Sequence, residues 1–269
     1  MPVEKIDLLA GNHAIEVVNF AVVFRSPLDS SDEARLEEKI EDLRPHFAAI
    51  DKPELFQVFV GESAPTNQPR PVMYQLNDFS RDGKPEWSAQ FGDNAVAVSC
   101  RKYSGWSTVW PGANDRLVAL LNCVDAFKPV ASIEYSVTDT FSEQLPQDDS
   151  DLQLRPSNVF IKGSWVPDIF MDYHDPRWDF QAGKFSSESE EAERLERVDA
   201  RSVLSGQRVL ANLTHSLSYK FRNVPLLKDL MARTAGQHNL QEVFDNFHSL
   251  NKDVLGEILS EELTNKMGL

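Results

Sequence analysis

The sequence predicts an α+β protein of two lobes, each a mainly antiparallel sheet with helices packed on one face, followed by a C-terminal helical segment. Three observations carry this. Apolar residues alternate along two strands, Val18, Phe20, Val22 and Phe24 in the first and Val209 to Phe221 in the second. Helical stripes stand at Leu36, Ile40, Leu43, Phe47 and at Leu117, Leu120, Leu121, Val124. Short extended segments between them are separated by Pro, Gly, Asn and Asp, the chemistry of hairpins and loops. At 269 residues the chain suits one large domain or two lobes, and the order of elements places the lobes at 1–128 and 129–269.

The strand at 16–24 has apolar groups on both faces and reads as central. Pro27 and the Asp29, Ser30, Ser31 cluster end it. Ser30 with Glu33 has the spacing of a capping box, so a helix is expected over 30–49, with Pro45 kinking or shortening its last turn. Extended segments follow at 55–60, 72–76, 87–91 and 95–100, the last two close enough in sequence to pair as a hairpin. A helix at 114–127 closes the first lobe.

The second lobe opens with a half-buried strand at 131–138, then an acidic loop at 147–151. Residues 159–170 are apolar but interrupted by Gly163 and Pro167, and no element is assigned there. The polar, acidic, Ser-rich run 184–193 predicts a mobile loop. The strand 209–221 is the cleanest in the chain and is expected to pair with 195–203 across Ser205 and Gly206. Two or three helices end the sequence, with stripes Leu240, Val243, Phe244, Phe247 and Val254, Leu255, Ile258. Both halves share a plan of opening strand, variable middle, hairpin and closing helix, which suggests related lobes.

Composition narrows the function. Lys and Arg total 27 against 42 Asp and Glu, a formal charge of −15 that works against a nucleic-acid footprint and against anionic membranes. Cys100 and Cys123 are isolated and read as small hydrophobes in a reducing compartment. No secretory leader pattern and no long apolar run is seen, and a cytoplasmic protein is expected. Nucleophile elbows, His-Glu-x-x-His helices, phosphate loops and dinucleotide fingerprints are absent from the sequence, and no cofactor is implied.

Several short pieces resemble a sporadically distributed family of uncharacterised prokaryotic proteins of about this length. They are Asn12-His13-Ala14-Ile15-Glu16-Val17 entering a strand, the 87–98 hairpin, Lys102-Tyr103-Ser104-Gly105-Trp106 before a helix, and Val243-Phe244-Asp245 with Leu259-Ser260-Glu261-Glu262-Leu263. The resemblance implies a two-lobed α+β architecture and carries over no reaction, ligand or catalytic residue. The element order of the first lobe is also similar to TATA-binding-protein-like folds, whose curved sheets serve many purposes.

Four residues are candidates for binding. His215 lies on the apolar side of its strand between Leu213 and Leu217, where an imidazole has to be neutral or hydrogen-bonded; it is either a satisfied core residue or part of a ligand cavity. Trp106, with Trp110 and Tyr103 nearby, is either an aromatic platform or an anchor for the following helix. Trp165 and Trp178 fall in the least regular part of the second lobe, where exposure is expected, and are the preferred interaction surface. Asp172, His174, Asp175 and Asp179 are the one local crowd of metal-ligand types, and their close spacing around Pro176 reads more readily as an acidic turn, so no metal is assigned. The acidic helix face Glu37, Glu38, Glu41 and the acidic run at 188–191 are solvated charge or a mask for a basic partner.

Together these features point to a non-catalytic cytoplasmic interaction protein that binds another macromolecule, most simply a protein, as a regulator, immunity factor or antitoxin-like component of a bacterial accessory or defence system. The competing reading is a small-ligand receptor or enzyme with a pocket between sheet and helices.

Overall fold

The computed structural model describes residues 5–8, 13–52, 73–145, 152, 154–163, 165–187, 192–234 and 237–268. The protein is α+β. Its strands are β1 (Asp7–Leu8), β2 (Ile15–Phe24), β3 (Ala49–Asp51), β4 (Met73–Phe79), β5 (Pro85–Gly92), β6 (Ala95–Cys100), β7 (Val130–Gln144), β8 (Trp178–Ser187), β9 (Ala192–Ser205) and β10 (Arg208–Phe221). The helices are α1 (Ser30–Glu38), α2 (Ile40–Leu43), α3 (Trp106–Leu121), α4 (Pro156–Val159), α5 (Asp168–Met171), α6 (Leu227–Met231), α7 (Leu240–Ile258) and α8 (Glu261–Met267). No described helix is long and apolar enough to cross a membrane.

The chain groups into two compact units. Unit 1 comprises Met1–Asn19, Glu134–Arg222 and Thr234–Leu269; unit 2 comprises Phe20–Ile133 and Asn223–Arg233.

In unit 2 the strand order is β3-β4-β5-β6-β2, with β2 contributing from Phe20 onward. The β4–β5 and β5–β6 ladders are antiparallel, and Asp93, with φ 51°, takes the left-handed turn position between β5 and β6. Helix α1 begins one residue earlier than the Ser30 and Glu33 pattern suggests. Asp29 is the cap, its carboxylate accepting from Ser31 N and Asp32 N, while Asp32 accepts in return from Asp29 N at 3.0 Å. The expected helix 30–49 is broken at Lys39 into α1 and α2, and Ala49–Asp51 is strand β3. Leu36, Leu43 and Phe47 are buried.

Helix α3 starts at Trp106 instead of residue 114 and carries Pro111 inside it. Pro111 forfeits only one amide of the helix, while burial of Val109, Trp110, Ala113 and Leu117 holds the preceding turn in place. A Cβ at Gly112 would stand 3.1 Å from the Trp87 ring, so glycine lets α3 lie close against β5. Arg116, one turn on, stacks its guanidinium 4.5 Å from that ring's centroid. The expected strand at 55–60 lies outside the described residues.

In unit 1 the order is β7-β10-β9-β8, β7 contributing from Glu134 onward, with β1 antiparallel on β7. β9 and β10 form the expected hairpin, in register from Arg208↔Ser205 to Phe221↔Ala192. β8 extends this hairpin with an uninterrupted antiparallel ladder from Trp178↔Ser202 to Ser187↔Glu193. The mobile loop expected over 184–193 is therefore corrected: 184–187 finish β8 and 192–193 begin β9, with 188–191, like the acidic loop at 147–151, outside the described residues.

The two C-terminal stripes belong to one helix, α7, whose N-cap Asn239 accepts from Glu242 N at 2.9 Å. It covers one face of the sheet. Tyr135 of β7 packs on Phe244 and Phe247, while Leu213, Ala211 and Val198 join Val254, Leu255 and Ile258 in the core. The other face is laced by side-chain hydrogen bonds, among them Thr138 to Thr214 at 2.9 Å and Asn19 Nδ2 to Ser136 Oγ at 2.9 Å.

Candidate functional site

The β8–β9–β10 strip of unit 1 gathers three of the four residues picked out in the sequence. Period-2 alternation sends Glu196, Val198 and Ala200 of β9 to the covered face together with Leu213, His215 and Leu217 of β10. Because His215 pairs with Val198 and Leu217 with Glu196, His215 and Glu196 are diagonal neighbours. His215 Nε2 lies 3.3 Å from Glu196 Oε1, and its Nδ1 lies 3.0 Å from Asn251 Oδ1 on α7. All three side chains are buried.

Lys184 of β8 stands directly opposite Glu196 and completes the line, its Nζ 3.4 Å from Oε2 and 4.4 Å from the Trp165 ring centroid. A row of polar groups thus runs from the exposed edge strand to α7: Trp165, Lys184, Glu196, His215, Asn251. Burial raises the Glu196 carboxyl, but His215 and the cations Lys184 and Arg194 outweigh it and hold the group below the usual carboxylate range. The His215 to Glu196 approach is not an aligned hydrogen bond, since among the described residues neither Nε2 nor Oε1 has a hydrogen-bond partner.

Asp139 of β7 adds a second buried carboxyl. Thr138 meets Thr214, and Thr140 donates to Asn212 Oδ1 at 3.0 Å, which turns the intervening Asp139 to the covered face one step from His215. Among the described residues its Oδ1 has no hydrogen-bond partner, and burial pushes its carboxyl up to about 7. Leaving such an atom unsatisfied costs about 1–3 kcal/mol, so these groups are an internal polar inventory that the hydrophobic core does not explain.

His215 therefore sits in the core with both ring nitrogens turned toward protein groups. That geometry suits a positioned imidazole better than one reaching for a substrate.

Trp165 and Trp178 are buried, which corrects the expectation that they are exposed. Trp178 donates from Nε1 to Leu154 O at 3.1 Å and meets Phe160 and Phe170 edge-on at 5.5 and 5.8 Å. Leu154, Phe160 and Phe170 pack on the Trp178 indole and Lys184 lies over that of Trp165, a packing that local periodicity does not reveal. Trp106 belongs to unit 2. It is half-buried on the first turn of α3, stacked on Trp110 at 5.8 Å and tilted against Phe20 at 6.0 Å, as an anchor of that helix.

Asp172, His174, Asp175 and Asp179 do not converge. Asp175 is engaged by Arg177, whose Nε and Nη2 donate to its two oxygens at 3.1 Å each; that guanidinium and the Arg177 amide hold the carboxyl below its ordinary range. Among the described residues no group of three or more His, Cys, Asp or Glu is arranged to hold a metal ion.

Glu196, Lys184, Asn251 and Asp139 are missing from the sequence-based candidates. Glu196 carried a usable signal, a charge at an apolar position of the alternation it shares with Val198 and Ala200. Asp139 carried the same one, between Val137 and Phe141.

No family model and no curated protein matches the chain. Among solved structures it is similar to the di-domain ARO/CYC BexL from the BE-7585A biosynthetic pathway, at 13% identity over 90% of this chain and 96% of that one. The TM-score is 0.18, and the likeness carries no argument.

Proposed function

We propose that this chain is a non-catalytic binding protein for another macromolecule, most simply a basic protein that it regulates or inhibits, with the docking surface on unit 1. The observation that carries this lies at the ends of the β8–β9 strip: Phe185 is 63% exposed although paired with Leu195, and Val203 and Leu204 are 43% and 46% exposed where the β8 ladder has ended at Ser202. These apolar groups left in solvent are the contacts unit 1 offers a partner. A formal charge of −15 on the whole chain favours a basic protein partner over an acidic one.

Native mass spectrometry of the protein taken from its host tests this. The expected result is a retained protein partner that dissociates as salt is raised. A bare chain, with turnover of a small molecule by the purified protein, would overturn it.

A second reading has its own support. The unpartnered polar atoms of Asp139, His215 and Glu196 are inward-facing groups that a small polar ligand between sheet and α7 would satisfy. The same spectra decide it, since a retained small mass lost in Asp139→Leu favours this reading.

A further inference from the structure

We infer that the row Lys184, Glu196, His215, Asn251 is a conformational relay within unit 1, in which the ammonium charge of Lys184 at the surface keeps α7 seated on the sheet. Three approaches join the row end to end. Lys184 Nζ lies 3.4 Å from Glu196 Oε2, and Glu196 Oε1 lies 3.3 Å from His215 Nε2. His215 Nδ1 donates to Asn251 Oδ1 at 3.0 Å, an amide oxygen being only an acceptor. The Lys184 side chain is 53% exposed, whereas Glu196, His215 and Asn251 are 2%, 1% and 3% exposed, so of the four only Lys184 is reached from solvent.

What passes along the row is the demand of a buried carboxylate for a partner. Glu196 stays ionised in the core because His215, Lys184 and Arg194 outweigh the cost of burial, Arg194 with the least effect of the three. Its other neighbours on the covered face, Leu217 opposite and Val198 two positions on, are apolar and offer no substitute. Trp165 packs its ring 4.4 Å from the ammonium and holds it in place.

Without the Lys184 charge, the nearest group left to Glu196 is the His215 ring, whose Nε2 is already 3.3 Å away but out of line. One rigid ring carries both nitrogens, so bringing Nε2 into line with Oε1 swings Nδ1 off Asn251. Asn251 stands in the middle of α7, and the helix then gives up a tie to β10 and keeps a buried amide without its partner. The ring thus has two arrangements, and the charge at Lys184 selects between them.

Hydrogen exchange of the full chain, read by mass spectrometry with β9, β10 and α3 as references, tests the relay. In Lys184→Met the α7 amides around Asn251 are expected to exchange about tenfold faster, while the reference strands and α3 keep their rates. Lys184→Arg retains the parent protection. Adding Glu196→Gln to Lys184→Met restores the protection of α7, because no carboxylate is left to compete for the ring; a lysine that acted only by packing would not be rescued in this way. Nitrogen NMR shifts of the His215 ring give a second readout, with the Nδ1 hydrogen bond present in the parent and lost in Lys184→Met.

Unchanged α7 exchange in Lys184→Met, acceleration of α7 and the β9–β10 hairpin by the same factor, or a double variant as fast as the single one would overturn the relay. So would a His215 ring whose shifts are the same with and without the Lys184 charge.

Discussion

Lys128 Nζ lies 2.7 Å from the Asp32 carboxylate, and both side chains are buried in unit 2. Asp32 also accepts from Asp125 N at 2.8 Å and from Arg35 Nη1 at 3.1 Å, while Lys128 donates to Pro27 O at 2.9 Å. One ion pair thereby ties the start of α1 to the segment between α3 and β7. Breaking a buried pair from one side strands the other charge, so Lys128→Met is expected to cost about 3 kcal/mol in urea unfolding. An unchanged midpoint would mean that Arg35 and the amides suffice for Asp32.

Asp139 gives a stability change with a definite sign. Its carboxyl is raised to about 7 in the folded protein by burial, so between the ordinary carboxylate value near 3.8 and about 7 the folded state holds a proton that the unfolded state has lost. Stability from this group therefore falls as pH rises across that window and is level above it. Asp139→Asn removes the effect. Relative to the parent it should gain on the order of 2 to 4 kcal/mol between pH 4 and pH 8, read from urea unfolding at each pH. A pH-independent difference between the two proteins would sink this assignment.

Glu196 titrates the other way. Its folded carboxyl is held below the unfolded value by His215, Lys184 and Arg194 against the opposing effect of burial, so its contribution is present above the ordinary carboxylate range and lost as pH falls through the folded value. Substituting Lys184→Met moves the folded Glu196 carboxyl back toward its unfolded value and should flatten the loss of stability on acidification. If the acid limb of the curve stays where it was, the 3.4 Å approach has no energetic weight.

The His215 to Asn251 contact, 3.0 Å and buried, joins β10 to α7 and suits a double-mutant cycle. His215→Leu and Asn251→Leu are each expected to cost about 2 kcal/mol, and the double substitution less than their sum by about 1 kcal/mol. Strict additivity would mean that the two groups do not interact.

Burial pushes both the Cys100 and the Cys123 thiol up to about 11. At pH 8 a thiol reagent should modify neither side chain until the protein is unfolded, and both afterwards. Rapid labelling of the native protein would contradict their burial.

The legible parts of the fold were those whose signal is local. The β9–β10 hairpin follows from alternation on both sides of Gly206, and α7 from its long apolar stripe. Edge strand β8 was not legible, because Trp178 and Phe180 alternate but Ala182, Gly183 and Lys184 do not, and an edge strand buries too little to keep the pattern. The start of α3 was hidden by Pro111 and Gly112, which read as breakers until Trp87 is seen against the glycine. For the cap of α1 the sequence offers two frames of identical spacing, and the buried partner Lys128, far along the chain, favours Asp29 with Asp32. At the candidate site His215 stood out as a lone imidazole among leucines. Glu196 and Asp139 did not, since a charged residue on a strand is ordinarily read as solvated.

Unit 2 takes its Asn223–Arg233 segment from beyond most of unit 1: Val130 N donates to Pro225 O at 2.9 Å, and Leu227 N to Lys128 O at 2.9 Å. Unit 1 in turn needs α7 and α8. During synthesis the ribosome has to release more than two hundred residues before either unit owns all of its pieces. The nascent chain is thus committed to a long interval in which apolar strands stand uncovered.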